Sequence, residues 1–226
     1  MGTELAPFTV PALPVVSDDQ LKVLDDVAQA SDFLGRIQLI ARNSKYVDAG
    51  FPAGNYGIPG TGEEITDLGD EIDIVPLAVR AKALDVSDKD AIISVYDTSN
   101  AEFQRIKNAP KNTGCMWGPS FLVVERSTGK MYEMFFGSPS GRISAAKLRP
   151  FLPVEGSPSQ PVTLSSELKT GKFRYYVPVV SKCSEPFDSS AMQVSSEQIV
   201  EEVGKFLNPE KEVEKVPEGE VNTRAR

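Results

Sequence analysis

Hydrophobic and polar positions alternate with a period of two along much of the chain, the pattern of half-buried strands. GRIQLIAR (35–42) and AIISVY (91–96) are two such runs. FLVVER and KMYEMFF flank Ser127-Thr128-Gly129, and VTLSSELK and KFRYYVPVV flank Thr170-Gly171, so each pair predicts a β-hairpin. DEIDIVPLAVRAKAL (70–84) reads as a strand interrupted at Pro76, which has no N–H for a ladder and therefore marks an edge or a bulge. Gly50 to Gly62 holds five glycines and two prolines, a loop with NYGI as a short strand inside it.

Helical spacing is rarer. Ser17 can cap a helix through DDQLKVLDDVAQA (18–30), with Leu21, Leu24 and Val27 on one stripe. SNAEFQRIK (99–107) and SPSGRISAAKL predict short helices, and SSEQIVEEVGKFLN (195–208) a longer one with a serine cap and Glu197 in its first turns. Residues 1–16 are proline-punctuated and extended, while residues 209–226 are charged and apolar-poor, the composition of a disordered tail.

About six or seven short strands with few helices predict a mainly β fold with a minor α+β component, a small antiparallel barrel or sandwich. The expected organisation is an N-terminal extension (1–34), a β-barrel domain (35–188), a C-terminal helix (189–208) and the tail (209–226). No run approaches the roughly 18 apolar residues of a bilayer crossing, and three prolines break an N-terminus that lacks a basic start. The cytoplasm is thus the expected compartment, with no membrane partner.

The chain has no histidine and two cysteines, Cys115 and Cys183. That removes Ser-His-Asp and Cys-His nucleophile systems, imidazole acid–base chemistry and most zinc sites, so a binding protein is expected rather than an enzyme. The cysteines read as small, partly buried residues of a reducing compartment. GNYGIPGTG lacks the Gly-Lys-Ser/Thr ending of a phosphate loop. EEITDLGDEID (63–73) offers carboxylates to a divalent cation but without EF-hand spacing, so a solvated loop is expected, with no metal and no cofactor.

The net charge of −8 is unevenly spread. Residues 1–34 carry six acids and one base, residues 183–226 ten acids and five bases, and residues 101–182 five acids against twelve bases. Screening cuts exposed interactions off beyond about 10 Å, so a partner senses this local basic excess. The same segment holds ten of the eighteen aromatic residues. Cations that follow phosphates beside aromatic faces that stack bases are what a single-strand binder requires.

Alternation in KFRYYVPVV puts Phe173, Tyr175, Val177 and Val179 on one face, read as core, and Lys172, Arg174 and Tyr176 on the other, with Lys169 at the same end. A solvated polar face gives the same pattern. KMYEMFF carries apolar bulk on both faces, so Tyr132 and Phe136 are stacking candidates if their face is open. Trp117, between glycines in GCMWGPSF, suits either a buried anchor or a base platform. Arg142, Lys147 and Arg149 lie beside small residues that let backbone approach a phosphate, as a mobile basic loop also does.

Four stretches carry a resemblance: GRIQLIARNSKYVDAG with the following NYG segment, LGDEIDIVPLAVRAKALD, GCMWGPSFLVVE with MYEMFFGSPSGR, and KFRYYVPVVSKCSEPFD. With these the chain resembles the single-stranded DNA-binding proteins of tailed phages. The resemblance implies an OB-fold-like barrel that coats single-stranded DNA in phage replication or recombination, with an acidic tail that recruits replication or recombination proteins. The chain departs from that pattern in its basic Thr-Arg-Ala-Arg end. The acidic total favours the alternative, a phage structural or host-interaction protein that binds protein rather than DNA.

Overall fold

The computed structural model describes residues 34–60, 64–88, 91–111, 113–154, 158–171, 173–185 and 193–209. The expected helix at 18–30 and residues 210–226 of the tail lie outside them. Among the described residues the strands are Arg36–Leu39 (β1), Tyr56–Pro59 (β2), Ile65–Gly69 (β3), Glu71–Asp85 (β4), Ile93–Val95 (β5), Cys115–Glu125 (β6), Met131–Phe135 (β7), Val162–Thr170 (β8) and Arg174–Lys182 (β9). The helices are Lys45–Asp48 (α1), Ala101–Asn108 (α2), Pro139–Ala146 (α3) and Ser196–Leu207 (α4). The chain is mainly β, as expected, and no described helix is long and apolar enough to cross a membrane.

All nine strands belong to one sheet, in the order β3-β2-β1-β7-β6-β4-β8-β9, with β5 on the far end of β4. β4 is the spine. It pairs antiparallel with β6 from Ile74 opposite Glu125 to Asp85 opposite Cys115. The register shifts between Pro76 and Ala78, so the proline sits at a bulge in a central strand. On its other edge β8 takes residues 71–74 and β5 residues 83–85.

The expected barrel does not close. β1 joins β7 in parallel, and the end strands β3 and β9 share no ladder. The sheet nevertheless curls until side chains from its two sides meet. The Tyr56 hydroxyl donates to the Ser165 carbonyl at 3.0 Å, and the Tyr176 ring lies against Gly54. Whole rings fill the gap where closure would need backbones about 4.8 Å apart.

Inside the curl, Ile37, Tyr56, Ile72, Ile74, Phe121, Val123, Met134, Val162 and Leu164 form the main core, capped by Ala145 and Leu148 at the end of α3. On the outer face, Val75, Leu77, Ala78, Leu122 and Val124 are covered by Ile199, Val203 and Phe206 of α4. That helix starts with a full capping box between Ser195 and Gln198. Farther along β4 and β6, on the inner side by alternation, α2 seats Phe103 and Ile106 against Ala83, with Trp117 packed beside them.

Candidate nucleic-acid interface

Trp117 is where the aromatic and basic residues converge. It stands on β6 opposite Ala83, and Ala81 and Pro119 beside it are small or flat. Gly118 cannot carry a side chain, because a Cβ there would collide with the Phe136 carbonyl oxygen. The strand therefore runs close to residue 136, and an open groove of about 350 Å³ remains between β4, β6 and α2. Val79, Ala81, Phe103, Trp117 and Pro119 give it apolar walls, with Thr98, Gln104 and Lys107 among its polar groups.

Two cations meet the indole. The Arg142 guanidinium lies 4.4 Å from the ring centroid and the Lys107 ammonium 5.2 Å away, distances at which a cation is drawn to the ring quadrupole. Arg142 is fixed. It lies on α3, which begins at Ser138 with the side chain accepting from the Gly141 N–H, and its Nη1 donates to the carbonyls of Trp117 (2.9 Å) and Gly137 (2.7 Å). Lys107 is exposed and makes no ion pair among the described residues.

α3 carries the basic surface onward. Ile143 is 69% exposed on it, and Lys147 and Arg149 follow, both exposed and without an ion pair among the described residues. The Ser144 hydroxyl donates to the Pro178 carbonyl at 2.5 Å and ties the helix to β9. β4 pairs with β8 only as far as Ser165, so the hairpin beyond it extends past the sheet. Arg174 is exposed near its tip, and Lys169 pairs with Glu167 at 2.5 Å.

Three expectations do not hold in the structure. Tyr132 and Phe136 are only 7% and 5% exposed and belong to the core, Phe136 edge-on to Phe121 at 5.7 Å, so neither presents a face for stacking. Tyr176 is half-buried, with its ring 2.5 Å from where a Cβ on Gly54 would stand. Phe173 and Tyr175, expected in the core, are 72% and 47% exposed, because they lie on the face opposite Val180, the residue of β9 that packs against the main core; Val177 is buried. Lys172 lies outside the described residues. Thus Trp117 and Arg142 are brought together, Lys147, Arg149 and Arg174 are open to solvent, and Lys107 is an addition that a lone helical lysine does not advertise.

No family model, curated protein or solved structure matches the chain. Among the described residues no group of three or more cysteine, aspartate or glutamate side chains is placed to hold a metal, and Asp67 of the acidic run is engaged by Asn55 and the Gly69 N–H. Both cysteines are free thiols.

The outer face carries a second concentration of charge. Glu133 on β7 accepts from Lys82 Nζ and from Ser120 Oγ at 2.6 Å, with Arg36 at 3.3 Å and Arg80 at 3.5 Å. The Arg80 guanidinium lies between the rings of Tyr96 (3.7 Å) and Phe206 (4.0 Å), donates Nη1 to the Phe206 carbonyl, and buries an Nε that has no acceptor among the described residues. Burial pushes the Glu133 carboxyl up, but the Lys82 charge, its hydrogen bond and Ser120 outweigh that and hold it below the usual carboxylate range. Burial also draws the Lys82 ammonium below its ordinary value, against the pull of Glu133. Lys82 is almost wholly enclosed, so this cluster builds the sheet rather than a site.

Proposed function

We propose that the chain binds single-stranded DNA along the inner-side strip that runs from Trp117 over α3 to the β8–β9 hairpin. The observation that carries this is the Trp117 indole flanked by Lys107 and Arg142 at an open groove. A base stacked on an aromatic face contributes roughly 1–3 kcal/mol, and each lysine or arginine that meets a phosphate releases a condensed counterion. Arg142 keeps its carbonyl bonds while it contributes charge. Lys107 has no such tether and can leave the ring for a phosphate. Lys147, Arg149 and Arg174 extend the positive track, and Ile143 gives it an apolar step.

In keeping with the phage resemblance, the role is to coat single strands during replication or recombination. The chain has one tryptophan, so its fluorescence reports on the site directly. Titration with oligo-dT is expected to quench Trp117 saturably, and an unchanged spectrum at low salt removes the reading. The protein-binding alternative has one observation in its favour: Leu168, Phe173 and Tyr175 put large apolar surface at the hairpin tip, and aromatic groups are enriched at protein interfaces. Under it, Phe173→Ser and Tyr175→Ser abolish partner capture and leave oligo-dT binding unchanged.

A further inference from the structure

We infer that the groove beside Trp117 is a pocket for one unstacked nucleobase of the bound strand. The inference rests on the single-strand reading and adds to it a specific occupant. Its size fits: about 350 Å³ is at the lower end of small-ligand sites and far too small for a duplex. Its chemistry fits as well. Val79, Ala81, Phe103, Pro119 and the indole line an open apolar space, and Thr98, Gln104 and Lys107 contribute polar atoms. A nucleobase has the same division, two apolar faces with hydrogen-bonding groups confined to its edge.

The polar groups have separable parts. Gln104 Nε2 donates to the Thr98 carbonyl at 2.7 Å, which fixes the amide orientation. Its carbonyl oxygen accepts no hydrogen bond among the described residues. An oriented acceptor suits the donors found on every base edge, the imino N–H of thymine or guanine and the amino group of adenine or cytosine. Lys107 stands over the ring and is the cation able to follow the phosphate of the same nucleotide. Ala81 sets the depth, since its side chain ends at Cβ.

The test compares ligands on the full chain through Trp117 fluorescence. Thymidine monophosphate is expected to quench the indole, and 2-deoxyribose 5-phosphate, which has the charge without the base, is not. An abasic strand of the same length and charge as oligo-dT should bind roughly tenfold or more weakly at equal salt, the size of one or two lost base contacts. Ala81→Leu, which fills the floor, should bring oligo-dT down to the abasic level, and Gln104→Ala does so in part if the leucine variant does not fold. Equal affinity for the abasic strand and oligo-dT overturns the pocket and leaves single-strand binding standing. Failure of both strands and of the mononucleotide overturns the two together.

Discussion

Lys82 places its ammonium 2.9 and 2.8 Å from the two oxygens of the Glu133 carboxylate, and both residues are buried on the outer face of the sheet. Arg80 and Arg36 face the same carboxylate, so one anion balances three cations. Removing one member of a buried pair leaves an uncompensated charge, at a cost of about 3–5 kcal/mol. Glu133→Gln should therefore lower stability by about that amount, read as a shift of the urea midpoint. A change below about 1 kcal/mol would show that water reaches these groups.

The acid side of the stability profile follows from the same carboxylate and two others. Glu133 is held below its ordinary value as described. Asp73 is pushed up by burial but brought lower still by hydrogen bonds from Thr163 and Arg126, and Asp85 is lowered by the Ser87 hydroxyl and then by Arg105. A carboxyl whose folded pKa is depressed stabilises the fold above its unfolded value, near 4, and loses that contribution as pH falls through the folded value. Thermal scans should show the melting temperature dropping steeply below about pH 4. Glu133→Gln should flatten that drop, and identical profiles would contradict the assignment.

Gly54 and Tyr176 pack the β2 loop against β9. Gly54 has φ +97°, and a Cβ there would also strike the tyrosine ring. Gly54→Ala is expected to destabilise by about 1–3 kcal/mol or more. Tyr176→Ala should lower stability through the lost contact and leave oligo-dT affinity within about twofold, since the ring is turned to the loop and not to the strip. A large loss of affinity at unchanged stability would restore Tyr176 as a stacking residue.

Lys107 and Arg142 should separate by their tethers. Lys107→Gln removes one phosphate partner, so oligo-dT affinity falls and the slope of log K against log salt decreases by about 0.7. Arg142→Lys loses the planar guanidinium that lies over the indole while its Nη1 bridges two carbonyls, so Trp117 emission should shift even without DNA. An unchanged salt slope for the lysine variant would place the strand elsewhere.

Local features were legible in the sequence. Both hairpins, the bulge at Pro76, the short helix after Asn100 and the capped helix after Ser195 each follow from a few adjacent residues. Which side of a strand is covered was not. In β7 both sides are buried, one against the core and the other against the Glu133 ions, so Tyr132 looked available when it is not. In β9 the two faces alternate as read, but the face that packs into the main core is that of Val180, shared with Arg174 and Tyr176, while Phe173 and Tyr175 stand exposed on the other. The parallel pairing of β1 with β7 joins segments about a hundred residues apart, and no local pattern encodes it.

The most direct test of single-strand binding is fluorescence anisotropy of a labelled oligo-dT of about 30 nucleotides, at two salt concentrations, beside a duplex of equal length. The predicted result is saturable binding to the single strand that weakens steeply with salt, with the duplex bound much more weakly. Absence of binding at low salt, or equal binding to both forms, would contradict it.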